Sequence, residues 1–194
     1  MLELVLKQEQ FESCEQILSL CKTKKPLMVI PAYSLAEPRE TLIRLEKNRK
    51  ELQRKLKSEI AQIIRNISYE KRIHELHKIT NLLSDSIDED IQRLTTYRER
   101  LIKIAETIPL THTVLRDSSM YVSLYNRSLQ DAFVYASVIS HLQEFQPVTG
   151  CFLNRNSKDF DDPAIKNELK KYNCIMIPKF DDGLHYIQSQ LNIT

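Results

Sequence analysis

The chain has 194 residues, of which 42% are hydrophobic and 28% charged, enough for one domain with a packed core and a solvated surface. Two glycines in that length exclude a fold built on many positive-φ turns, such as an all-β sandwich, and point to long helices. A net charge of +2 does not mark a nucleic-acid binder by itself, no apolar run approaches the ~18 residues of a membrane span, and the first residues lack the basic and apolar regions of a secretion signal.

Phe11, Ile17, Leu18, Leu20 and Cys21 predict a first helix that begins near Glu3 or near Gln10 and ends at Cys21, where the KTKKP run breaks it. PLMVIP, residues 26–31, is a short apolar segment bounded by prolines and predicts a buried parallel strand. Ser34 follows as an N-cap, with Glu37 three residues on in a capping-box relation. Neither Gly nor Pro interrupts the chain from Arg39 to Ile108, and Leu42, Leu45, Leu52, Leu56, Ile60, Ile63, Ile64 and Ile67 recur mostly at threes and fours. That spacing predicts a very long helix. The acidic cluster SDSIDED (Ser84 to Asp90) predicts the cap of a second one, running to Thr107. Together they form an antiparallel helical hairpin over about residues 45–108.

Charge is uneven along this hairpin. Residues 39–78 hold twelve Lys or Arg against six Glu. This basic excess either faces phosphates or is the solvated side of a long helix. His74 and His77 stand three apart on it with no obvious carboxylate partner, and read as a solvated face.

Beyond Pro109 the pattern predicts helices within Val114–Asn126 and over Ser128–Phe145. A strand over Thr149–Leu153 follows, then a helix over Pro163–Lys171 with Pro at its first position, and a strand over Cys174–Ile177. A last helix runs from Asp181 or Asp182 to Leu191. Short apolar strands that alternate with helices predict a three-layer α/β/α fold around a parallel sheet, as a single domain over residues 1–194. Cys14, Cys21, Cys151 and Cys174 form no CxxC pair and stand near no His at zinc spacing, so they read as buried thiols of a reducing, cytoplasmic compartment.

In open parallel sheets ligands bind beyond the carboxyl ends of the strands. Two predicted strand ends lead to oxygen-bearing side chains: the first to Glu37, the second to Asn154, Asn156 and Asp159. Asp131 opens a helix that is otherwise nearly all apolar, where it is either a plain N-terminal cap or a cation ligand. Carboxylates from separate segments that meet at one sheet edge would repel each other, and Mg²⁺ or Mn²⁺ would relieve that repulsion. A divalent site of this kind serves phosphodiester hydrolysis.

Three phrases resemble the PIN-domain family of metal-dependent ribonucleases, which includes many toxins of bacterial toxin–antitoxin systems. IPAYSLAEPRETL (30–42) is similar to the family's second strand and the helix with its active-site Glu. SLQDAFVYASVI (128–139) is similar to the segment with its central Asp, and GCFLNRNSKDFDDPAI (150–165) to its fourth strand and the polar motif that follows. The tail, residues 172–187, fits the last strand and helix. The resemblance implies a PIN-like parallel sheet with the hairpin as an insertion, and a Mg²⁺- or Mn²⁺-dependent endoribonuclease. It implies Glu37 and Asp131 as metal-binding acids, with Asp159 and, as a weaker candidate, Asn156 completing the site. Asn154 would tie down the loop, and Arg155 and Lys158 would approach the scissile phosphate. RNA, a protein partner such as an antitoxin, and a second copy of the chain are the partners it implies.

The family opens with a central strand that ends in a metal-binding Asp, and no such phrase precedes Glu3 here. The expectation is a chain shortened at its N-terminus, with residues 2–6 recruited as a strand. Catalysis then depends on the missing acid. The alternative is a non-catalytic module that binds RNA or protein.

Overall fold

The computed structural model describes residues 1–194 other than 24, 64, 66–72, 126–127, 157–159, 161 and 193–194, and for 73–76 the backbone alone. Ile64 and Ile67, Lys158, Asp159 and the side chain of His74 therefore lie outside the described residues.

Helix α1 is a single turn, Leu2–Val5, and α2 spans Phe11–Cys21. In α2, Cys14, Ile17, Leu18 and Cys21 are buried, the i, i+3, i+4, i+7 pattern of one helix face turned to a core. Strand β1 (Val29–Pro31) runs directly into α3 (Ala32–Ile63). The helix thus starts two residues before Ser34, which lies inside it rather than capping it. Pro38 is also internal and removes the backbone bond to the Ser34 carbonyl, an irregularity in the turn that carries Glu37.

Helix α4 (Ile73–Ile104) packs along α3 in antiparallel sense, as the pairing of Arg49 with Asp90 at 2.6 Å and of Gln53 Nε2 with the Thr80 carbonyl at 2.8 Å requires. The acidic cluster Ser84–Asp90 lies within α4 and caps nothing. Its Ile87 and Asp90 are buried, because the helix turns that face toward α3. Strand β2 (Glu106–Ile108) follows where the helical pattern was expected to continue.

Helix α5 spans His112–Tyr125 and α6 spans Leu129–Phe145. Strand β3 (Gly150–Leu153), helix α7 (Pro163–Lys170), strand β4 (Cys174–Ile177) and helix α8 (Phe180–Gln190) complete the order. Asp162 caps α7 by accepting from the Ala164 N–H at 2.7 Å, with Pro163 at the first helical position.

The strands pair in parallel, but in two separate ribbons. Val29, Ile30 and Pro31 oppose Glu106, Thr107 and Ile108, and Gly150 to Leu153 oppose Cys174 to Ile177. Among the described residues β1 and β3 do not bond to one another, so no continuous sheet forms. The expected three-layer α/β/α PIN-like fold is overturned: 73% of the structure is helix and 8% strand. Residues 2–5 are helical rather than a recruited strand, because Leu4 and Val5 enter a helix-built core.

That core joins Leu4, Val5, Cys14 and Leu18 to Leu42, Leu94, Tyr97 and Leu101 of the hairpin. A second core sets α5, α6 and α7 against Phe152 and Met176 of the second ribbon, around Tyr135, Phe160 and Leu169. A third links α2 and α8 through Ile17, Cys21, Leu184 and Ile187, with Met28 beside β1 and Cys151 and Leu153 of β3 on its border. Helices pack against both ribbons without fully covering them, and α6 lies against the first ribbon while Asn156, in the turn after β3, bonds to Asp131 near its start.

Candidate functional site

Asp131 is the third residue of α6, and three short bonds fix it. Its backbone N–H donates to Ser128 Oγ at 3.1 Å, and that hydroxyl donates to Asp131 Oδ2 at 2.5 Å. Asn156 Nδ2 donates to Asp131 Oδ1 at 3.1 Å. The Ser–x–x–Asp spacing is a capping arrangement legible in the sequence; the link to Asn156 is a tertiary addition to it.

Asn156 reaches Asp131 because the chain turns sharply after β3. The Asn156 N–H donates to Asn154 Oδ1 at 3.0 Å, closing an Asx turn, and the Asn154 N–H donates to the Ile177 carbonyl at 3.3 Å. Asn154 thus ties the loop down.

Glu37 approaches from the second turn of α3. Its carboxyl is held above the ordinary range, first by burial, then by the negative charges of Asp131 and Glu40, while the chain's N-terminal ammonium pulls it the other way. The phenol of Tyr33, one turn earlier, is pushed up by burial and then by Glu40, Glu37 and Asp131. Its ring leans on Phe133 at 5.6 Å and 50°, so α3 and α6 touch beside the two acids. The charge of Asp131 thus acts on Glu37 across the α3–α6 contact, and Asn156 bonds to Asp131 from the turn after β3.

Arg155 goes elsewhere. Its Nη1 donates to Glu3 Oε1 and to Gln8 Oε1 at 3.5 Å, and its Nη2 to Glu9 Oε2 at 3.2 Å. Asp159 and Lys158 lie outside the described residues. Among the described residues no three His, Cys, Asp or Glu side chains form a group able to hold a metal ion by themselves. Glu37, Asp131 and the Asn156 amide would offer hard oxygen donors. Donors of that kind would suit Mg²⁺ or Mn²⁺, since Mg²⁺ is commonly held by one or two carboxylates plus substrate phosphate oxygens.

Other expected groups have ordinary surroundings. The four thiols are free, and burial pushes those of Cys14, Cys21 and Cys174 up to about 11 and that of Cys151 to about 12, which leaves them protonated and inert. His77 is exposed on the hairpin. Separately, Tyr121, Tyr125 and Tyr135 all donate to the carboxylate of Glu168 in a structural knot.

Sequence reading missed Tyr33 and Glu40, which share a helix with Glu37, and Glu3, the buried partner of Arg155. The first two carried a signal in their helical spacing from Glu37. The third carried none, because its partner stands far away in the chain. Along α3 beyond the acids, Arg39, Arg44, Lys47 and Arg54 are exposed, while Lys50 and Lys55 pair with Glu46 and Glu51 one turn back. Among the described residues no helix is long and apolar enough to cross a membrane. No protein-family model, curated protein or solved structure matches the chain.

Proposed function

We propose that the chain is a divalent-cation-dependent phosphodiesterase that acts on RNA, with Glu37 and Asp131 as its acids. The observation that carries this reading is the contact of α3 with α6 through Tyr33 and Phe133, which sets Glu37 within the field of Asp131. A carboxyl raised by burial and then by a neighbouring charge gains from a cation, because ligation offsets desolvation and repulsion together. Bound Mg²⁺ or Mn²⁺ would supply the positive charge that a phosphodiester transition state needs.

The protein's own residues do the positioning. Ser128 and Asn156 each take one oxygen of Asp131 and set the plane of its carboxylate. Glu37 is held by a helix that continues into the exposed cations Arg44, Lys47 and Arg54, which face solvent along the path an RNA backbone would take. Those contacts would make binding strongly salt-dependent.

A second reading is a module that binds RNA or a protein partner without turnover. It is favoured by exposed Leu52, Ile79 and Leu82 on the hairpin. One experiment separates the two. Single-stranded RNA is incubated with Mn²⁺ and wild-type protein, Asp131→Ala or Glu37→Gln. Cleavage by the wild type that falls about a hundredfold or more in both variants supports the enzyme, a loss in keeping with removal of a charge-stabilising group. Equal cleavage by all three rejects the site. Binding without cleavage selects the module.

A further inference from the structure

The two carboxylates on Arg155 differ in kind. Glu3 is 4% exposed in its side chain and also accepts the Gln10 N–H, at 3.2 Å, through its second oxygen. Removing Arg155 from it would strand a buried charge, so this pair is fixed. Glu9 is 85% exposed, and its bond to Nη2 at 3.2 Å is a surface contact that water and salt weaken. The guanidinium, itself 43% exposed, is thus anchored on its inner side and holds an exchangeable carboxylate on its outer side.

We propose that the outer side of Arg155 is a phosphate-binding position, with Glu9 as a displaceable stand-in that gates it. A planar guanidinium fork takes phosphate oxygens as readily as carboxylate oxygens, and an immobilised one loses little entropy on binding. Arg155 directly precedes Asn156, which holds Asp131, while its guanidinium bonds to Glu3, Gln8 and Glu9 of the N-terminal segment. That the phosphate belongs to RNA rests on the function proposed above; the gate itself does not.

The test uses the full chain, with Glu9→Gln, Arg155→Lys and the double variant, at constant ionic strength and without divalent cation. Inorganic phosphate is titrated calorimetrically, and a short fluorescein-labelled single-stranded RNA by anisotropy. Arg155→Lys keeps a positive charge for Glu3 but has no fork, so the fold is retained. Glu9→Gln should tighten phosphate two- to fivefold, equivalent to about 0.4–1 kcal/mol, the range of an exposed ion pair. Arg155→Lys should weaken it, and the gain from Glu9→Gln should vanish in the double variant.

Unchanged phosphate affinity in Glu9→Gln, or the same gain in the Arg155→Lys background, overturns the gate. RNA affinities in the same order as phosphate support a phosphodiester ligand. If phosphate follows the expected order while no variant binds RNA, the gate stands for free phosphate and the RNA reading falls.

Discussion

Glu37 concentrates the energetic tension of the site in one residue. Its carboxyl is raised first by burial, then by Asp131 and Glu40. A raised value means that the folded state holds the proton more tightly than the unfolded chain does. The resulting stabilisation is complete below the unfolded value of about 4.3 and is lost as pH rises through the folded one. Glu37→Gln cannot ionise and escapes that loss. Its melting temperature should match the wild type near pH 4 and exceed it at pH 7 by roughly 1–3 °C, a scale set by the small ΔΔG of a half-exposed group in a domain of this size. Millimolar Mn²⁺ at pH 7 should close the gap by raising the wild type alone. A variant that melts lower than the wild type at pH 7 would mean that Glu37 stabilises the fold by a contact of its own. The site was half legible at this scale: acid and amide residue types stood out, but Asp131 and Asn156 meet only because an Asx turn, closed by Asn154, aims one at the other.

Among the elements, periodicity was read well and pairing was not. Helices α2, α5, α6, α7 and α8 and strands β1, β3 and β4 fall close to their expected limits, because each carries its own hydrophobic period or its own Pro and cap signals. Strand β2 was hidden. Its three residues follow a long helix without Gly or Pro, and only the partner Val29–Pro31 makes them a strand. The docking of α7 was equally invisible. Glu168 accepts Tyr135 at 2.6 Å and Tyr121 and Tyr125 at 3.3 Å, and so ties α7 to α5 and α6. Burial raises all three phenols, with Glu168 the next cause, so they remain donors at any working pH. Glu168→Ala should cost about 2–3 kcal/mol in urea unfolding, since it leaves the buried Tyr135 hydroxyl without its acceptor. Tyr125→Phe should cost less than about 1 kcal/mol, because that hydroxyl is closer to water and Glu168 keeps two donors. Equal costs for the two would show that the knot does not dock α7.

At the scale of the whole molecule, the N-terminal turn, the hairpin and the candidate site form one coupled body, and a single carboxylate tests the coupling. Asp90, 6% exposed in its side chain, takes Arg49 of α3 on one oxygen and Arg93 of α4 on the other. Arg93 also donates through Nε to the Val5 carbonyl at 2.6 Å, so the ion cluster that clamps α3 to α4 also holds α1. From α1 the connection continues through Glu3 to Arg155 and the turn that carries Asn156. No local pattern foretold this. The acidic run Ser84–Asp90 looks like a helix cap in sequence, and only Arg49, on a helix about forty residues earlier, together with Arg93 on its own helix, turns Asp90 inward. Asp90→Ala frees two arginines that are each partly solvated, so its cost should be about 1–3 kcal/mol rather than that of a fully buried pair. Hydrogen exchange should quicken in two places at once: along the hairpin near residues 45–53 and 83–94, and at the amides of residues 4–10. Quickening confined to the hairpin would show that α1 is held by its apolar contacts alone, and that the path from hairpin to site ends at Arg93.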